Sequence, residues 1–173
     1  MGYKCSCNDE QERTTVLDLL SNELKEQRLF PVGRLDMQSE GLLILTNDGD
    51  FTFKITHPKY HLTKTYLVKV QGHLDSVQLQ RLSDHKFMRS LGYQTVEWLI
   101  RRKTKTNTWL ELTLFEGKNR QIRRIFEALN IFTLRIMRIA IGPIALGDLE
   151  RGKFRILTKQ EIYLLDQYGK TGL

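Results

Sequence analysis

Cysteine is scarce in this chain: Cys5 and Cys7 are the only two, one residue apart. The four histidines, His57, His61, His73 and His85, are scattered and offer no second ligand pair at zinc spacing. Nor do they present a Ser–His arrangement. A disulfide framework and a metal centre are therefore not expected, and a reduced, intracellular chain is. No run of about 18 apolar residues exists, so no membrane helix is predicted. The first residues lack the apolar core of a signal peptide, which makes the cytoplasm the expected location, with an organelle such as a plastid as the alternative. Long linkers, low-complexity stretches and fixed-period repeats are also missing. One domain over residues 1–173 is expected, and a unit of that size can bury roughly 70% of its unfolded surface without a staple.

What the chain has is positive charge. Lys and Arg number 27 against 20 Asp and Glu, a formal charge of +7. The corresponding pI is near 9.5. Such a balance points to a polyanionic partner, with plain solubility as the alternative. Placement of the charges has to decide between them.

Local patterns give the elements. Thr15 to Asp18 resembles a capping signal, and Val16, Leu19, Leu20 and Leu24 follow helical spacing, which predicts a helix over 15–26. Leu29–Val32 reads as extended, Gly33–Asp36 as a polar turn, and Leu42–Leu45 as a buried strand stopped by Asn47-Asp48-Gly49. Further helices are predicted over 51–56 and 75–82, and strands over 62–70, 133–141 and 154–157. Residues 95–102 and 108–115 flank a turn and predict a hairpin. The helix from Asn119 to Leu129 carries Ile122, Ile125, Phe126 and Leu129 on one face. Thr158-Lys159-Gln160-Glu161 is a capping box that opens a terminal helix. Strands outnumber helices without regular alternation, so the fold class expected is α+β, a mainly antiparallel mixed sheet flanked by helices.

One helix breaks a local rule. Lys118, Arg120, Arg123 and Arg124 crowd the start of the 119–129 helix, where the macrodipole favours negative charge. Each unanswered cation there costs ~0.3–1 kcal/mol, so an anion is the expected occupant. Arg123 borders the apolar face, about 100° from Ile122, and is placed for a half-buried ion pair. Its partner is either Glu127, four residues on, or Asp36 in the polar turn. Asp36 itself reads either as a side-chain-to-backbone cap or as a reactive carboxylate. Tyr66, in Lys64-Thr65-Tyr66-Leu67, either packs in the core or stacks on an extruded base.

Ordered motifs resolve these alternatives. Pro31-Val32-Gly33-Arg34-Leu35-Asp36, followed by Ser39-Glu40-Gly41-Leu42-Leu43-Ile44-Leu45-Thr46-Asn47-Asp48-Gly49, resembles the signature of the RsuA-type pseudouridine synthases of ribosomal RNA. Lys64-Thr65-Tyr66, the stretch from Glu116 to Arg124, and the segments Thr133–Pro143 and Leu146–Leu149 are similar to that family's later motifs. The likeness is weakest over 73–107. It implies a pseudouridine synthase fold, no cofactor and no metal, and a structured RNA, ribosomal and by preference of the large subunit, as partner of a monomer. It also implies roles: Asp36 as the nucleophile, at ribose C1′ or uracil C6; Arg123 as its ion-pair partner; Tyr66 and Ile122 around the flipped base. Arg34 fills the vacated space or contacts the backbone, and Lys118, Arg120, Arg124, Arg135 and Arg138 meet phosphates.

Two departures accompany the likeness. The family's opening Lys-Pro-x-Gly is reduced to a Gly2-Tyr3 remnant, so an incomplete first strand is expected, and no S4 RNA-binding domain is recognisable in the sequence. Two other functions fit parts of the pattern: a noncatalytic RNA-binding domain acting in ribosome assembly, and a magnesium-dependent nuclease using Asp36, Asp48 and Asp50.

Overall fold

The computed structural model describes residues 14–60 and 62–168, so the expectations for Cys5, Cys7, His61 and the Gly2-Tyr3 segment lie outside the described residues. In chain order the elements are α1 (Asn22–Lys25), β1 (Phe30–Pro31), β2 (Glu40–Gly41), β3 (Leu45–Thr46), α2 (Gly49–Thr56), β4 (Lys64–Gln71), α3 (Ser76–Ser83), α4 (His85–Ser90), β5 (Glu97–Lys103), β6 (Asn107–Leu114), α5 (Gln121–Ala128), β7 (Thr133–Ile141), β8 (Ile144–Ala145) and α6 (Lys159–Tyr168). Six strands form one sheet in the order β2-β7-β4-β6-β5, with β8 paired to β7. Every pairing is antiparallel except that of β2 with β7. Strands β1 and β3 make a separate antiparallel pair. The fold is α+β, as the sequence predicts.

Alternation decides which face of the sheet is covered. Along β6 every second residue is buried, and Leu110 and Leu112 stand opposite Val68 and Tyr66 of β4. Helices α3, α4 and α5 close over this face with Leu82, Met88, Ile125 and Phe126, all fully buried. Each such side chain contributes about 1.5–3 kcal/mol. A second, smaller core gathers Val32, Leu42, Ile44, Ile55, Leu62, Ile141, Ile144 and Leu165, covered by α2 and α6. A cleft opens where the two cores meet.

Several predicted boundaries are corrected. The 15–26 helix is broken: a 3₁₀ turn over Val16–Leu19 and the short α1 are separated at Leu20–Ser21, because Thr15 and Asp18 form their capping box on the 3₁₀ turn. Leu42–Leu45 is not one strand. Gly41, just before it, pairs with Arg138 and its last residue, Leu45, with Pro31, while residues 42–44 join neither ladder and are half or fully buried. Phe154–Leu157 forms no strand, having no ladder partner; Phe154 and Ile156 face solvent. Helix α4, which the sequence reading missed, starts on Asp84, whose carboxylate accepts from the Lys86 and Phe87 amides.

Candidate active site

The segment from Val32 to Leu42 carries Asp36, and its path is set by glycine. Gly41 has φ +113°, and a Cβ there would lie 2.2 Å from the Arg138 carbonyl oxygen. Only the missing side chain lets the segment dock against β7, where the Leu42 amide donates to the Arg138 carbonyl at 2.8 Å. Residues 36–39 form a turn closed by the Ser39 amide on the Asp36 carbonyl, at 2.8 Å. Asp36 does not spend its side chain on that turn. Among the described residues its carboxylate accepts no hydrogen bond, and it lines the cleft half-buried.

The cleft measures about 440 Å³. Lys64 and Tyr66 of β4 and Ile136, Arg138 and Ile141 of β7 form its floor, the Val32–Ser39 segment one wall, and Glu116–Arg123 another. Of the ten residues assigned to the site from sequence, eight meet here: Arg34, Asp36, Tyr66, Lys118, Arg120, Ile122, Arg123 and Arg138. Arg124 is exposed on α5 and does not line the cleft. Arg135 lies outside it as well and is ion-paired to Glu40. Arg138, three residues on, faces the cleft instead, because strand alternation turns it to the opposite side and it pairs with Tyr66 where Arg135 pairs with Lys69.

The buried cations differ from expectation. Arg123 makes no ion pair within 4.0 Å with Asp36 or Glu127; its Nη2 donates to the Gln38 carbonyl at 2.7 Å, two residues beyond Asp36. Burial, then the nearby Arg120, lowers the Arg123 pKa, while the charges of Asp36 and Glu127 act in the opposite direction. Arg138 is only 3% exposed, so it is no surface phosphate ligand. Its Nε donates to the Leu42 carbonyl at 2.8 Å and its Nη1 to the Arg34 carbonyl at 3.3 Å. Arg123 Nε and Arg138 Nη2 are buried without a hydrogen-bond partner among the described residues. An unmet buried donor costs about 1–3 kcal/mol, so each of these calls for an acceptor such as water or a bound group.

Lys118 and Arg120 precede the helix rather than crowd its first turn. Arg120 is the N-cap in the left-handed region at φ 51°, a conformation uncommon outside glycine. The Lys118 ammonium donates to the Gly92 carbonyl and lies 3.3 Å from Glu116. Glu116 also accepts from buried Gln121 at 2.8 Å, which braces this wall. Arg34 and Arg120 remain exposed at the rim.

Lys64 was overlooked as a site residue in its own right. It shares a face of β4 with Tyr66, Val68 and Val70, and its ammonium donates to the Leu62 carbonyl at 3.1 Å. Burial, then the charge of Arg138, lowers its pKa. A lysine on the apolar side of an alternating strand was the available signal. The nuclease reading finds no support in this arrangement. Asp48 caps α2 by accepting from the Phe51 amide, and among the described residues no three acidic, histidine or cysteine side chains gather as a metal site.

A half-buried carboxylate that accepts no hydrogen bond among the described residues, in an open groove shared with buried guanidiniums and an aromatic side chain, could attack a planar group that enters from an anionic chain. A family profile described as RNA pseudouridylate synthase matches residues 1–128. An RNA pseudouridine synthase of Aquifex aeolicus, named as uncharacterized, is 41% identical over 150 residues; the match covers 87% of this chain but spans only 59% of that relative's length. A protein named ribosomal large subunit pseudouridine synthase E, from Xanthomonas campestris, is 38% identical over 144 residues, 75% of this chain and 77% of its own. The crystal structure of a pseudouridylate synthase superposes with a TM-score of 0.82 at 29% identity, over 95% of this chain and 70% of that one. By the extent of the profile match and of the Xanthomonas alignment, this chain belongs to the RNA pseudouridylate synthase family.

Proposed function

We propose that the protein converts one uridine of ribosomal RNA, in the large subunit, to pseudouridine, with Asp36 as the nucleophile. The observation that carries this reading is the Asp36 carboxylate itself, unspent by the turn that holds it and facing the same cleft as Tyr66, Ile122, Arg123 and Arg138. The reaction breaks the C1′–N1 bond and forms C1′–C5, while C5 loses a proton and N1 gains one. Nothing is oxidised and no group leaves, so the balance needs no cofactor. Attack by Asp36 at C1′ or at C6 satisfies it equally.

Tyr66 and Ile122 flank the flipped base, whose extrusion costs a few kcal/mol and is offset by stacking worth about 1–3 kcal/mol. The unmet Nε donor of Arg123 supplies a hydrogen bond to a base or phosphate oxygen, while Arg138, buried beneath the loop, makes no such contact. Arg34 and Arg120, exposed at the rim, meet the backbone; Lys118, already engaged, and the remote Arg124 and Arg135 are secondary. The large-subunit assignment follows the Xanthomonas relative's name. We place the protein in the cytoplasm, as a monomer, with this chain forming its catalytic domain.

The test is pseudouridine mapping on ribosomal RNA transcripts incubated with the protein. Asp36→Asn is expected to lower the rate about 10⁴-fold or more while binding persists. RNA carrying 5-fluorouridine, which has no C5 proton to release, is expected to stall on the wild-type protein as a tight complex or altered product. Equal trapping by Asp36→Asn would remove Asp36 as the nucleophile.

A further inference from the structure

We infer that Arg138 is a positioning residue for the reaction, one that fixes where Asp36 stands by clamping both ends of the loop that carries it. The inference rests on the isomerase reading above. Three backbone carbonyls of this loop are held by buried guanidiniums, and they are spaced four residues apart. Arg138 holds Arg34 at one end and Leu42 at the other, at 3.3 Å and 2.8 Å. Arg123 holds Gln38 between them, at 2.7 Å. Asp36 lies midway between two of the held carbonyls.

The β7 backbone adds to the clamp, because the Arg138 carbonyl accepts the Leu42 amide at 2.8 Å and Gly41 lies flat against the same peptide. Two carbonyls at opposite ends of one loop need a planar donor with several N–H groups. Guanidinium provides this, and an ammonium on a single carbon stem does not. The same loop is also held by the two paired residues of β2, by the backbone bond of the turn at 36–39, and by the ion pair of Glu40 with Arg135. Arg138 thus stands to Asp36 as a brace. At 3% exposure it is too buried to serve first as a phosphate contact.

The experiment compares wild type, Arg138→Lys, Arg138→Met and Asp36→Asn on protein-free transcripts of the source organism's large- and small-subunit ribosomal RNA. It measures kcat, KM, direct RNA affinity and melting temperature. A displacement of about 1 Å at a reacting group costs on the order of 10²-fold in rate. Both Arg138 variants are expected to lose about 10- to 100-fold in kcat, with KM and RNA affinity within about twofold of wild type, and Lys is expected to be no more than a partial replacement. If Arg138→Met does not fold, Arg138→Lys carries the comparison alone. A kcat within twofold of wild type in Arg138→Lys overturns the inference, as does a loss of RNA affinity that matches the loss of kcat, since that marks a substrate contact. A wild-type protein that forms no pseudouridine on either transcript overturns the isomerase reading and this inference together. Turnover by wild type with full kcat in the Arg138 variants overturns this inference only.

Discussion

At Asp36, exchanging one carboxylate oxygen for an amide nitrogen removes the charge and the proposed nucleophile while leaving the volume nearly unchanged, which is why the substitution separates chemistry from binding. Lys64 offers a different lever. Its pKa is lowered, first by burial and then by Arg138, so the folded protein releases this proton more readily than the unfolded chain does. The cost of holding the charge is therefore present near neutral pH. It fades as pH rises from the lowered folded value through the ordinary value of about 10.4. Lys64→Met is expected to melt at a higher temperature than wild type at pH 7, with the gap closing toward pH 10; a gap that widens with pH would falsify this account. Local spacing marked Arg123 as half-buried beside an apolar face, and it is buried. Its partner was not legible, because Gln38 lies 85 residues away and a carbonyl acceptor carries no side-chain signature.

Elements with reciprocal local bonds were read well. Thr158 and Glu161 exchange side-chain and backbone bonds at 2.8 Å and 3.1 Å, opening α6 where the capping box places it. Glu161 also accepts two bonds from Arg155, and that guanidinium, followed by the Thr158 amide, lowers its pKa from 4.5 to about 2. Because the folded value lies below the unfolded one, the stabilisation is full above about pH 4.5 and lost as pH falls toward 2. The pair is solvent-screened, worth roughly 0–1 kcal/mol. Glu161→Gln is expected to lower the melting temperature slightly at pH 7 and not at pH 2.5, read by thermal melts across that range. Gly41 belongs to this scale as well. An alanine there meets both an unfavourable φ, about 1–3 kcal/mol, and the Arg138 backbone. Gly41→Ala is expected to lose at least ~2 kcal/mol, a fall of about 4 °C or more for a domain of this size, and activity with it, as the Asp36 loop lifts from β7.

Across the whole molecule the net charge of +7 acts as a field around one groove. Cations freely available at the rim are few: Arg34 and Arg120 are exposed, while Lys118, Arg123 and Arg138 have protein partners. Two or three phosphates neutralised at about 0.7 counterions each give a slope of log affinity against log salt near −2. A titration from low to high salt is expected to give that shallow slope. A slope steeper than about −5 would mean that the RNA contacts a much larger basic surface than this rim. Arg34→Ala and Arg120→Ala should each flatten it by roughly one phosphate.

Periodicity and capping, which depend on residues within a turn or a strand pair of one another, set β4, the β5–β6 hairpin, β7, α5 and α6 from the sequence alone. The order of motifs along the chain was enough to bring Asp36, Tyr66, Ile122 and Arg123 into one expectation. Tertiary structure decided what depended on distant partners. The Leu42–Leu45 stretch is no single strand because Gly41, just before it, and Leu45, its last residue, find different strands. Phe154–Leu157 joins no ladder, and Phe154 and Ile156 are left facing solvent. Arg135 and Arg138, three residues apart, face opposite ways by strand alternation alone, but which of them faces the cleft depends on the pairing of Arg138 with Tyr66 of β4. Spacing of two and of 3.6 residues is written in the chain; the acceptor that a buried guanidinium finds is set by packing across the sheet.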